Sequence, residues 1–408
     1  MDSKTVFLVD IFNGGHREAF MQLFARSLLE LGNRVVCIMP DTTSIHSWID
    51  SNCSQYKNNA RYYGLEYPKA ILNTNGKWQR LKSYTALWRY YKKHIEQAAQ
   101  QNNWPVDLVF FNCIDGHLAN FLPHQLVDFV FPYQWAGLYF HPNHLRAYPG
   151  VFKHTSGLSD VDYALLTKNC LAVAIHDEGV VEKFSKRLNG KKVLLFPEIA
   201  DITPPDMQNQ VAKEIKEKAK GRTVLGMIGL EPHKGSYEFM KLAKAADPGK
   251  YFFAFCGIFS DDWYTFFENE AFAQEFRAFI DQLPENCYWN TGFITEGAEY
   301  NAVFSAFDII FLFYRNFFSS SNRLTKAANL HRLVLSGDKY CVGEDVLQYN
   351  LGETANNSSV PVLLATLERL ENRIRAKDFP YTNWKIYAQK HSEAVLKEKF
   401  SEILSLLE

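Results

Sequence analysis

The stretch TVLGMIGLEPHKGSYEFMKLAKA, residues 223–245, joins an apolar run, a glycine-containing polar turn and a helical pattern in that order. The run at 223–228 has the length and composition of a buried strand. Similar runs recur along the second half of the chain, at residues 251–257, 288–293, 308–314 and 333–337. Short strands that alternate with helices are typical of a parallel sheet with helices on both faces. The second half is therefore predicted to form a doubly wound domain.

The first half of the chain shows the same alternation. Its predicted strands are residues 5–11, 34–39, 107–112, 135–141, 170–175 and 193–197. The helix after the first of them carries Phe20, Phe24 and Leu28 on one face, and Gly32 is placed to end it. A second α/β domain of the same class is therefore predicted.

The length of 408 residues suits two domains of roughly 200 residues each. A Lys-, Glu- and Gln-rich segment after Pro204 and Pro205 predicts the connection between them, and the last stretch repeats apolar residues at helical spacing. We expect two Rossmann-like, doubly wound parallel-sheet α/β domains that face each other across a cleft. The predicted boundaries are 1–200 for the first domain, 201–221 for the linker, 222–380 for the second domain and 381–408 for a helix that returns to the first domain.

Composition narrows the functional class. Hydrophobic residues make up 47% and charged residues 22% of the chain, as in folded globular proteins. The formal net charge of -1 argues against nucleic-acid binding as the main role, because that role needs a basic face. The apolar runs are strand-sized and the first residues lack a secretory pattern, so we expect a cytoplasmic protein without a transmembrane segment. The seven cysteines form no C-x-x-C pair, which indicates neither a disulfide framework nor a zinc site.

Two loops that follow predicted strands carry residues suited to an anion. Gly14, Gly15 and His16 stand where the first strand passes into its helix. Glycines there let the backbone approach a ligand, although a purely steric role explains the pair equally well. The fingerprint G-x-G-x-x-G is absent, which argues against an NAD enzyme. In the second domain, Glu231 and Lys234 occupy the corresponding loop, where a lysine is well placed to neutralise a diphosphate.

A third loop follows the predicted strand at 308–314. Its sequence is R-N-F-F-S-S-S, so Arg315 and Asn316 precede Ser319, Ser320 and Ser321 at the start of a helical stretch. Capping a helix needs only one serine. The additional hydroxyls, the backbone N–H groups and the charge of Arg315 suit phosphate or sugar oxygens. We therefore predict ligand contacts from this loop.

Four motifs occur along the chain, and their order is informative. They are G-G-H-R after the first strand, E-P-H-K-G after the first strand of the second half, T-G-F-I at residues 291–294, and the block Y-R-N-F-F-S-S-S-N-R-L-T-K-A-A. Together they resemble the retaining nucleotide-sugar glycosyltransferases of the GT-B fold, family 4 type. The resemblance covers nearly the whole chain and is strongest from residue 222 to residue 352.

The resemblance implies a hexosyltransferase-type enzyme that transfers a sugar from a nucleoside diphosphate sugar, with retention and without a metal or other cofactor. The acceptor, a small molecule, lipid or glycan, would bind the first domain. His117, after the predicted strand at 107–112, and Lys234, at the diphosphate, are the expected catalytic residues. The expected donor-binding residues are Gly14, Gly15, His16, Glu231, Lys234, Arg315, Asn316, Ser319, Ser320 and Ser321.

The chain departs from the family pattern at three positions. The family usually carries two glutamates separated by seven residues in the late block, and the matching positions here are Phe318 and Lys326. The arginine that usually accompanies the diphosphate lysine falls on Gly229. Donor identity is therefore open, and two alternatives remain: a sugar-nucleotide epimerase on the same fold, and a non-catalytic partner or sensor protein.

No metal site is predicted. Asp160 and Asp162 have the spacing of a D-x-D motif, but no convincing strand precedes them, so chance or a helix cap explains them better. His141, His144 and His154 are irregularly spaced, without carboxylates or cysteines near them in the sequence. We expect these histidines to line the acceptor side of the cleft or to pack in the fold.

Overall fold

The computed structural model describes residues 3–12, 16–66, 68, 76–146, 159–267 and 269–407. The chain divides into two compact units, of which the first comprises Met1–Pro197 with Ser392–Glu408 and the second comprises Glu198–His391. Each unit contains one sheet. The expectation of two α/β domains is confirmed.

The first unit is built on a seven-stranded sheet in the order β3-β2-β1-β4-β5-β6-β7, with neighbouring strands parallel. Its central strands are continuously apolar and buried, because helices cover both faces of a doubly wound sheet. The strands are β1 (Thr5–Val9), β2 (Arg34–Met39), β3 (Ala60–Gly64), β4 (Leu108–Phe111), β5 (Trp135–Tyr139), β6 (Cys170–Ile175) and β7 (Lys192–Leu195).

Six helices are described in this unit. They are α1 (His16–Glu30), α2 (Thr43–Asn52), α3 (Lys77–Asn102), α4 (His124–Val130), α5 (Val181–Arg187) and α14 (Glu393–Leu404). On one side Trp88 of α3 packs on Trp135 of β5, with ring centroids 5.2 Å apart. Helix α14 packs with α1, where the rings of Phe24 and Phe400 lie 5.3 Å apart. Burying each such side chain stabilises the fold by about 1.5 to 3 kcal/mol.

The second unit is built on a six-stranded parallel sheet in the order β10-β9-β8-β11-β12-β13. Phenylalanines fill its interior; Phe239 contacts Phe255 and Phe311 with ring centroids 4.6 and 4.8 Å away. The strands are β8 (Thr223–Ile228), β9 (Tyr251–Cys256), β10 (Cys287–Asn290), β11 (Ile309–Leu312), β12 (Leu333–Gly337) and β13 (Gly352–Ala355).

Eight helices are described in the second unit: α6 (Gln210–Ala219), α7 (Ser236–Ala245), α8 (Glu270–Asp281), α9 (Ala298–Ser305), α10 (Asn322–Asn329), α11 (Tyr340–Gln348), α12 (Val360–Ala376) and α13 (Tyr381–Lys390). Helix α6 lies inside the segment 201–221 that the sequence predicts as a linker. The side chain of Asn209 caps it by accepting a hydrogen bond from the N–H of Ala212.

The sequence patterns did not predict strands β3 and β13. Both are edge strands, and side chains such as Arg61 and Glu353 leave them partly exposed, so neither forms a long apolar run. The predicted strands at 135–141 and 308–314 end earlier than expected, at Tyr139 and Leu312. Their last residues instead begin the loops at the carboxyl edge of each sheet.

Among the described residues, no helix is long and apolar enough to cross a membrane. All seven cysteines lie in the described ranges, are buried and form no disulfide.

Candidate functional site

Two loops meet where the strand order of the second sheet reverses. Strand β8 lies between β9 and β11, so the loop after β8 leads toward α7 and the loop after β11 leads toward α10 on neighbouring strands. Parallel α/β sheets bind ligands at the carboxyl ends of their strands, at such a switch point. Both loops carry residues that the sequence predicts to bind a ligand.

Local geometry fixes the loop after β8. Its ends are Gly229 and Gly235, whose φ angles are +86° and +85°, and a single 3-10 turn (Pro232–Lys234) lies between them. A Cβ atom on Gly235 would lie 2.2 Å from the carbonyl oxygen of Phe313, at the end of β11. Glycine at 235 therefore lets the two loops approach each other.

Three charged groups converge beside Gly229. The Nζ atom of Lys234 lies 2.6 Å from Oε2 of Glu231. A Cβ atom on Gly229 would lie 2.7 Å from Lys234 Nζ, 2.8 Å from Nη2 of Arg323 and 2.9 Å from Oε2 of Glu231. We call Glu231, Lys234 and Arg323 the charge cluster. Two cations and one carboxylate leave it with one net positive charge.

Burial and the short distances within the charge cluster shift the pKa values of Lys234 and Glu231. Burial lowers the pKa of Lys234 to about 8, and the neighbouring Arg323 lowers it too, whereas Glu231 opposes the shift. Burial alone would raise the pKa of Glu231, but the charges of Lys234 and Arg323 outweigh it and lower that pKa. Arg323 remains a cation at any physiological pH.

Two tyrosines border the charge cluster. The side chain of Tyr300 lies close enough to Arg323 to interact with its charge. The hydroxyl of Tyr314 lies 3.0 Å from Oγ of Ser321, the residue before α10. These contacts join the start of α10 to α9 and to the loop after β11.

Ser320 and Ser321 of the predicted serine cluster form hydrogen bonds with other side chains of the protein. Ser320 donates a hydrogen bond of 2.5 Å to Oε2 of Glu198, and Ser321 contacts Tyr314 as described above. Ser321 occupies the N-cap position of α10, but its side chain does not cap the helix. Ser319 is partly buried. The ligand role of these serines stays a prediction.

Arg315 and Asn316 line a pocket of about 350 Å³. Its walls include Lys339, Tyr340 and Asn356, from the ends of β12 and β13. The Nε atom of Arg315 lies 3.4 Å from the buried carboxylate of Glu238, and its backbone N–H donates to the carbonyl of His233. The predicted site residues of this unit thus divide between the charge cluster, the serine loop and this pocket.

The two positions where the family pattern expects glutamate have other roles. The ring of Phe318 lies 4.4 Å from that of Tyr340. Lys326 is buried, donates to Oδ1 of Asn301 at 2.5 Å and pairs with Oε1 of Glu296 at 2.6 Å. Its Nζ also lies 4.6 Å from the centre of the Tyr300 ring.

In the first unit, Gly14 and Gly15 lie outside the described residues, as does the side chain of His16 at the start of α1. The neighbouring Asp10 is buried at the end of β1. It accepts hydrogen bonds from Arg17 at 3.1 Å and Asn112 at 2.8 Å. Burial raises the pKa of this carboxyl above its usual value, although Arg17 opposes the shift.

His117 lies in the core of the first unit. Its side chain is 2% exposed and stacks on Tyr91 at a centroid distance of 4.8 Å, with Trp88 and Phe111 also in contact. Burial lowers the pKa of His117 to about 3. Its predicted catalytic role stays a prediction, and its burial favours a structural role instead.

The fold gives two of the predicted histidines carboxylate partners that their sequence neighbourhood lacks. Nδ1 of His141 lies 3.0 Å from Oδ1 of Asp115, because strands β4 and β5 are adjacent. Nε2 of His144 lies 2.6 Å from Oδ2 of Asp162. Both carboxylates come from outside the immediate sequence neighbourhood of their histidines. His154 lies outside the described residues.

Asp160 caps a short 3-10 helix (Val161–Leu166) by accepting a hydrogen bond from the N–H of Asp162, which is one of the two explanations that the sequence left open. Asp160 and Asp162 also both pair with Arg187, at 2.6 and 3.2 Å. In the described ranges, no group of three or more His, Cys, Asp or Glu side chains is arranged to hold a metal ion.

Arg323, Tyr300 and Glu198 were not predicted as site residues. Arg323 stands in the quoted late block, but Leu324, Ala327 and Ala328 mark the apolar face of α10, so a charged residue beside them is expected in solvent. Arg323 and Lys326 are three residues apart, and this spacing is the one sequence signal that the two side chains lie on the same face of a helix.

Comparison with known proteins identifies solved structures with a similar fold. No protein-family model matches the sequence, and no curated protein matches it significantly. A solved glycosyltransferase from Rickettsia africae has a TM-score of 0.66 at 12% identity, covering 100% of this chain and 99% of that one. Sucrose-phosphate synthase from Thermosynechococcus elongatus has a TM-score of 0.63 at 13% identity, covering 99% of each chain.

HepE from Anabaena, solved in complex with UDP-glucose, has a TM-score of 0.62 at 14% identity and covers 98% of this chain and 99% of that one. At identities of 12 to 14%, the similarity is evidence for the fold alone. The chain has two doubly wound parallel-sheet domains, as in the glycosyltransferases of the GT-B fold.

Proposed function

We propose that this protein is a glycosyltransferase that moves a hexosyl group from a nucleoside diphosphate sugar to an acceptor. The observation that carries the proposal is the charge cluster at the switch point of the second sheet. A partly buried lysine and a partly buried arginine beside one carboxylate suit a ligand with more than one negative charge. The GT-B fold makes a sugar nucleotide the first such ligand to consider.

The nucleotide proposed first is uridine diphosphate. The HepE structures contain UDP and UDP-glucose. Carrying that ligand over to this chain is part of the proposal, because the identity between the two is 14%. The acceptor is a small molecule, a lipid or a glycan, expected on the first domain.

The proposed reaction needs no protein nucleophile. The bond between the anomeric carbon and the diphosphate oxygen breaks while the acceptor oxygen bonds to the same face of that carbon, so configuration is retained. The acceptor hydroxyl gives its proton to the departing diphosphate. Lys234 and the neighbouring helix N-termini stabilise the negative charge that grows on the leaving group, the role that a metal ion serves elsewhere. The reaction is proposed to be metal-independent.

Two other functions on the same fold lead to different products. An epimerase needs a base free to remove a proton from the sugar, whereas Glu231 is engaged by Lys234. A partner or sensor protein would bind the sugar nucleotide and leave it unchanged. The transferase is preferred because the solved structures that match this chain over almost its full length include a glycosyltransferase and sucrose-phosphate synthase.

The test is a panel of UDP, GDP and ADP sugars incubated with the full chain and with pooled glycan, lipid and small-molecule acceptors. A transferase releases free nucleoside diphosphate and adds the mass of a sugar to an acceptor. An epimerised sugar nucleotide without release indicates the epimerase. Tight binding with no turnover of any donor indicates the sensor, and absence of binding contradicts a sugar-nucleotide protein altogether.

A further inference from the structure

Arg323 and Lys234 approach one small space from different elements. Lys234 ends the single turn after β8, and Arg323 lies in the first turn of α10. A Cβ atom on Gly229 would lie only 2.7 Å from Lys234 Nζ and 2.8 Å from Arg323 Nη2, which is too close, so both cations lie directly against the backbone of Gly229. Gly229 has a φ of +86°, so glycine both avoids backbone strain and leaves room for the two cationic side chains.

Two cations this close repel each other, and in the part of the chain that the structure describes the carboxylate acting on both is that of Glu231. Glu231 pairs with Lys234 at 2.6 Å, and its charge also acts on Arg323. The other side chains acting on Arg323 are Tyr300 and Tyr314, whose phenols are neutral at physiological pH. An arginine used only to hold the fold would gain more from a carboxylate of its own. The arrangement is instead completed by an incoming anion.

The shape of a guanidinium adds specificity to this charge. Its fixed fork of N–H groups binds two oxygens of a phosphate at once, whereas an ammonium is a point charge. A diphosphate has oxygens on both phosphorus atoms and can contact both cations together. A monophosphate or a carboxylate offers fewer such contacts.

We propose that Arg323 is the second cation of the diphosphate site, acting with Lys234, and that it replaces an arginine at the position of Gly229. In the family that the sequence resembles, that arginine stands on the loop after the strand. Here the guanidinium comes from α10 and lies 2.8 Å from where the Cβ atom of residue 229 would be. The inference deepens the proposed function and rests on it for the identity of the nucleotide.

The experiment measures binding by isothermal titration calorimetry, with the full chain as wild type, Arg323→Gln, Arg323→Lys and Arg277→Gln. Arg277 is exposed on α8 and provides the matched control for loss of an arginine charge. The probes are UDP, GDP, ADP, uridine and inorganic pyrophosphate. Thermal melting and circular dichroism establish that each variant is folded.

The expected result is that Arg323→Gln weakens the preferred nucleoside diphosphate and pyrophosphate by about tenfold to a hundredfold, the range for a lost charge-assisted contact. Arg323→Lys should weaken them less, Arg277→Gln should change nothing, and uridine affinity should be equal in all four proteins. Unchanged diphosphate affinity in folded Arg323→Gln would overturn the inference. Equal losses for uridine and UDP would also overturn it, because Arg323 would then act through the fold.

The outcomes separate the inference from the proposed function. If no nucleoside diphosphate binds the wild type but pyrophosphate does, and Arg323→Gln loses it, the two-cation site stands and the glycosyltransferase proposal fails. If UDP binds equally to wild type and to Arg323→Gln, the function stands and the assignment of Arg323 fails. If Arg323→Gln does not fold, the folded Arg323→Lys variant decides, since retention of full diphosphate affinity there argues against a bidentate contact.

Discussion

The ammonium of Lys326 lies 2.6 Å from a carboxylate oxygen of Glu296, and the two side chains differ greatly in exposure, at 2% and 55%. Lys326 also donates to Asn301 and to the backbone carbonyl of Asp201. One buried cation thus ties helix α10 to helix α9 and to the segment that begins the second unit. A glutamate at position 326 would place its charge against Glu296.

We expect Lys326→Met to destabilise the second unit by about 2 to 4 kcal/mol, because it leaves the buried amide oxygen of Asn301 without this donor. For a domain of this size that corresponds to a fall of roughly 5 to 10 °C in Tm. Differential scanning calorimetry measures it. Lys216→Met is the control, since Lys216 is half exposed in its pair with Asp308. Equal melting of the two variants would contradict a structural role for Lys326.

His117 gives a prediction that combines pH and stability. Its pKa is lowered by burial to about 3, below the unfolded value near 6.5. Between about pH 6.5 and about pH 3, His117 is protonated in the unfolded chain but not in the folded chain. The free energy of unfolding therefore falls as pH drops from about 6.5 toward 3. His117→Phe, which preserves the aromatic packing on Tyr91, should lose less stability across that window. Urea unfolding at pH 7 and pH 4.5 measures the difference.

The same variant tests the catalytic hypothesis for His117. A core histidine contributes packing, so we expect turnover of His117→Phe to stay within about threefold of wild type. A folded variant that loses turnover by orders of magnitude would show that His117 contacts the reacting sugar after all.

The sequence predicts the two sheets because their central strands are nearly pure apolar runs. Strands such as β4 and β9 contain little else. Parallel strands place the loops that follow them on one edge, and this is why the sequence alone predicts Lys234 at a candidate site. Edge strands β3 and β13 are invisible to the same argument, because half of each faces solvent.

The partners of site residues could not be predicted in the same way. Arg323 meets Lys234, and His141 meets Asp115, through neighbouring strands rather than through sequence spacing. The burial of Lys326 also contradicts the rule that lysines on an amphipathic helix face solvent. Its partner Asn301 stands on another helix, so the sequence around α10 contains no sign of it.

Gly235 allows a test of loop approach with a matched control. Gly235 and Gly221 have φ angles of +85° and +81°, so alanine strains the backbone at both by about 1 to 2 kcal/mol. At Gly221 no heavy atom lies within 4 Å of the added Cβ, whereas at Gly235 the carbonyl of Phe313 would lie at 2.2 Å. We expect Gly235→Ala to be less stable than Gly221→Ala by about 1 to 3 kcal/mol and to lose diphosphate affinity. Equal denaturation midpoints and retained binding would contradict this account.

Metal dependence is a separate prediction. Because Lys234 and helix N-termini are proposed to stabilise the leaving diphosphate, turnover should be the same in EDTA as in buffer with added magnesium or manganese. Nucleoside diphosphate release in the two conditions measures this. Complete loss in EDTA that manganese restores would show that a metal ion serves the donor.

The lowered pKa of Lys234 predicts how donor binding depends on pH. In the free protein its pKa is about 8, mainly because of burial and then because of Arg323, so the lysine loses its charge as pH rises through 8. A bound diphosphate restores the preference for the charged form. Binding above pH 8 must therefore take up a proton, and affinity falls with rising pH. The terminal phosphate of a nucleotide ionises near pH 6 and does not contribute in this range.

We expect UDP to bind about tenfold more weakly at pH 9 than at pH 7, with proton uptake detected as a dependence of the binding enthalpy on buffer. In Lys234→Ala, UDP affinity should be low and flat across this range, and turnover should fall by roughly 100 to 1000-fold, the effect of removing one preorganised charge at a leaving group. Lys92→Ala, an exposed lysine on α3, is the control and should retain the wild-type profile. If Lys234→Ala keeps the pH dependence of the wild type, or if its loss of activity simply follows unfolding, the diphosphate does not bind at Lys234.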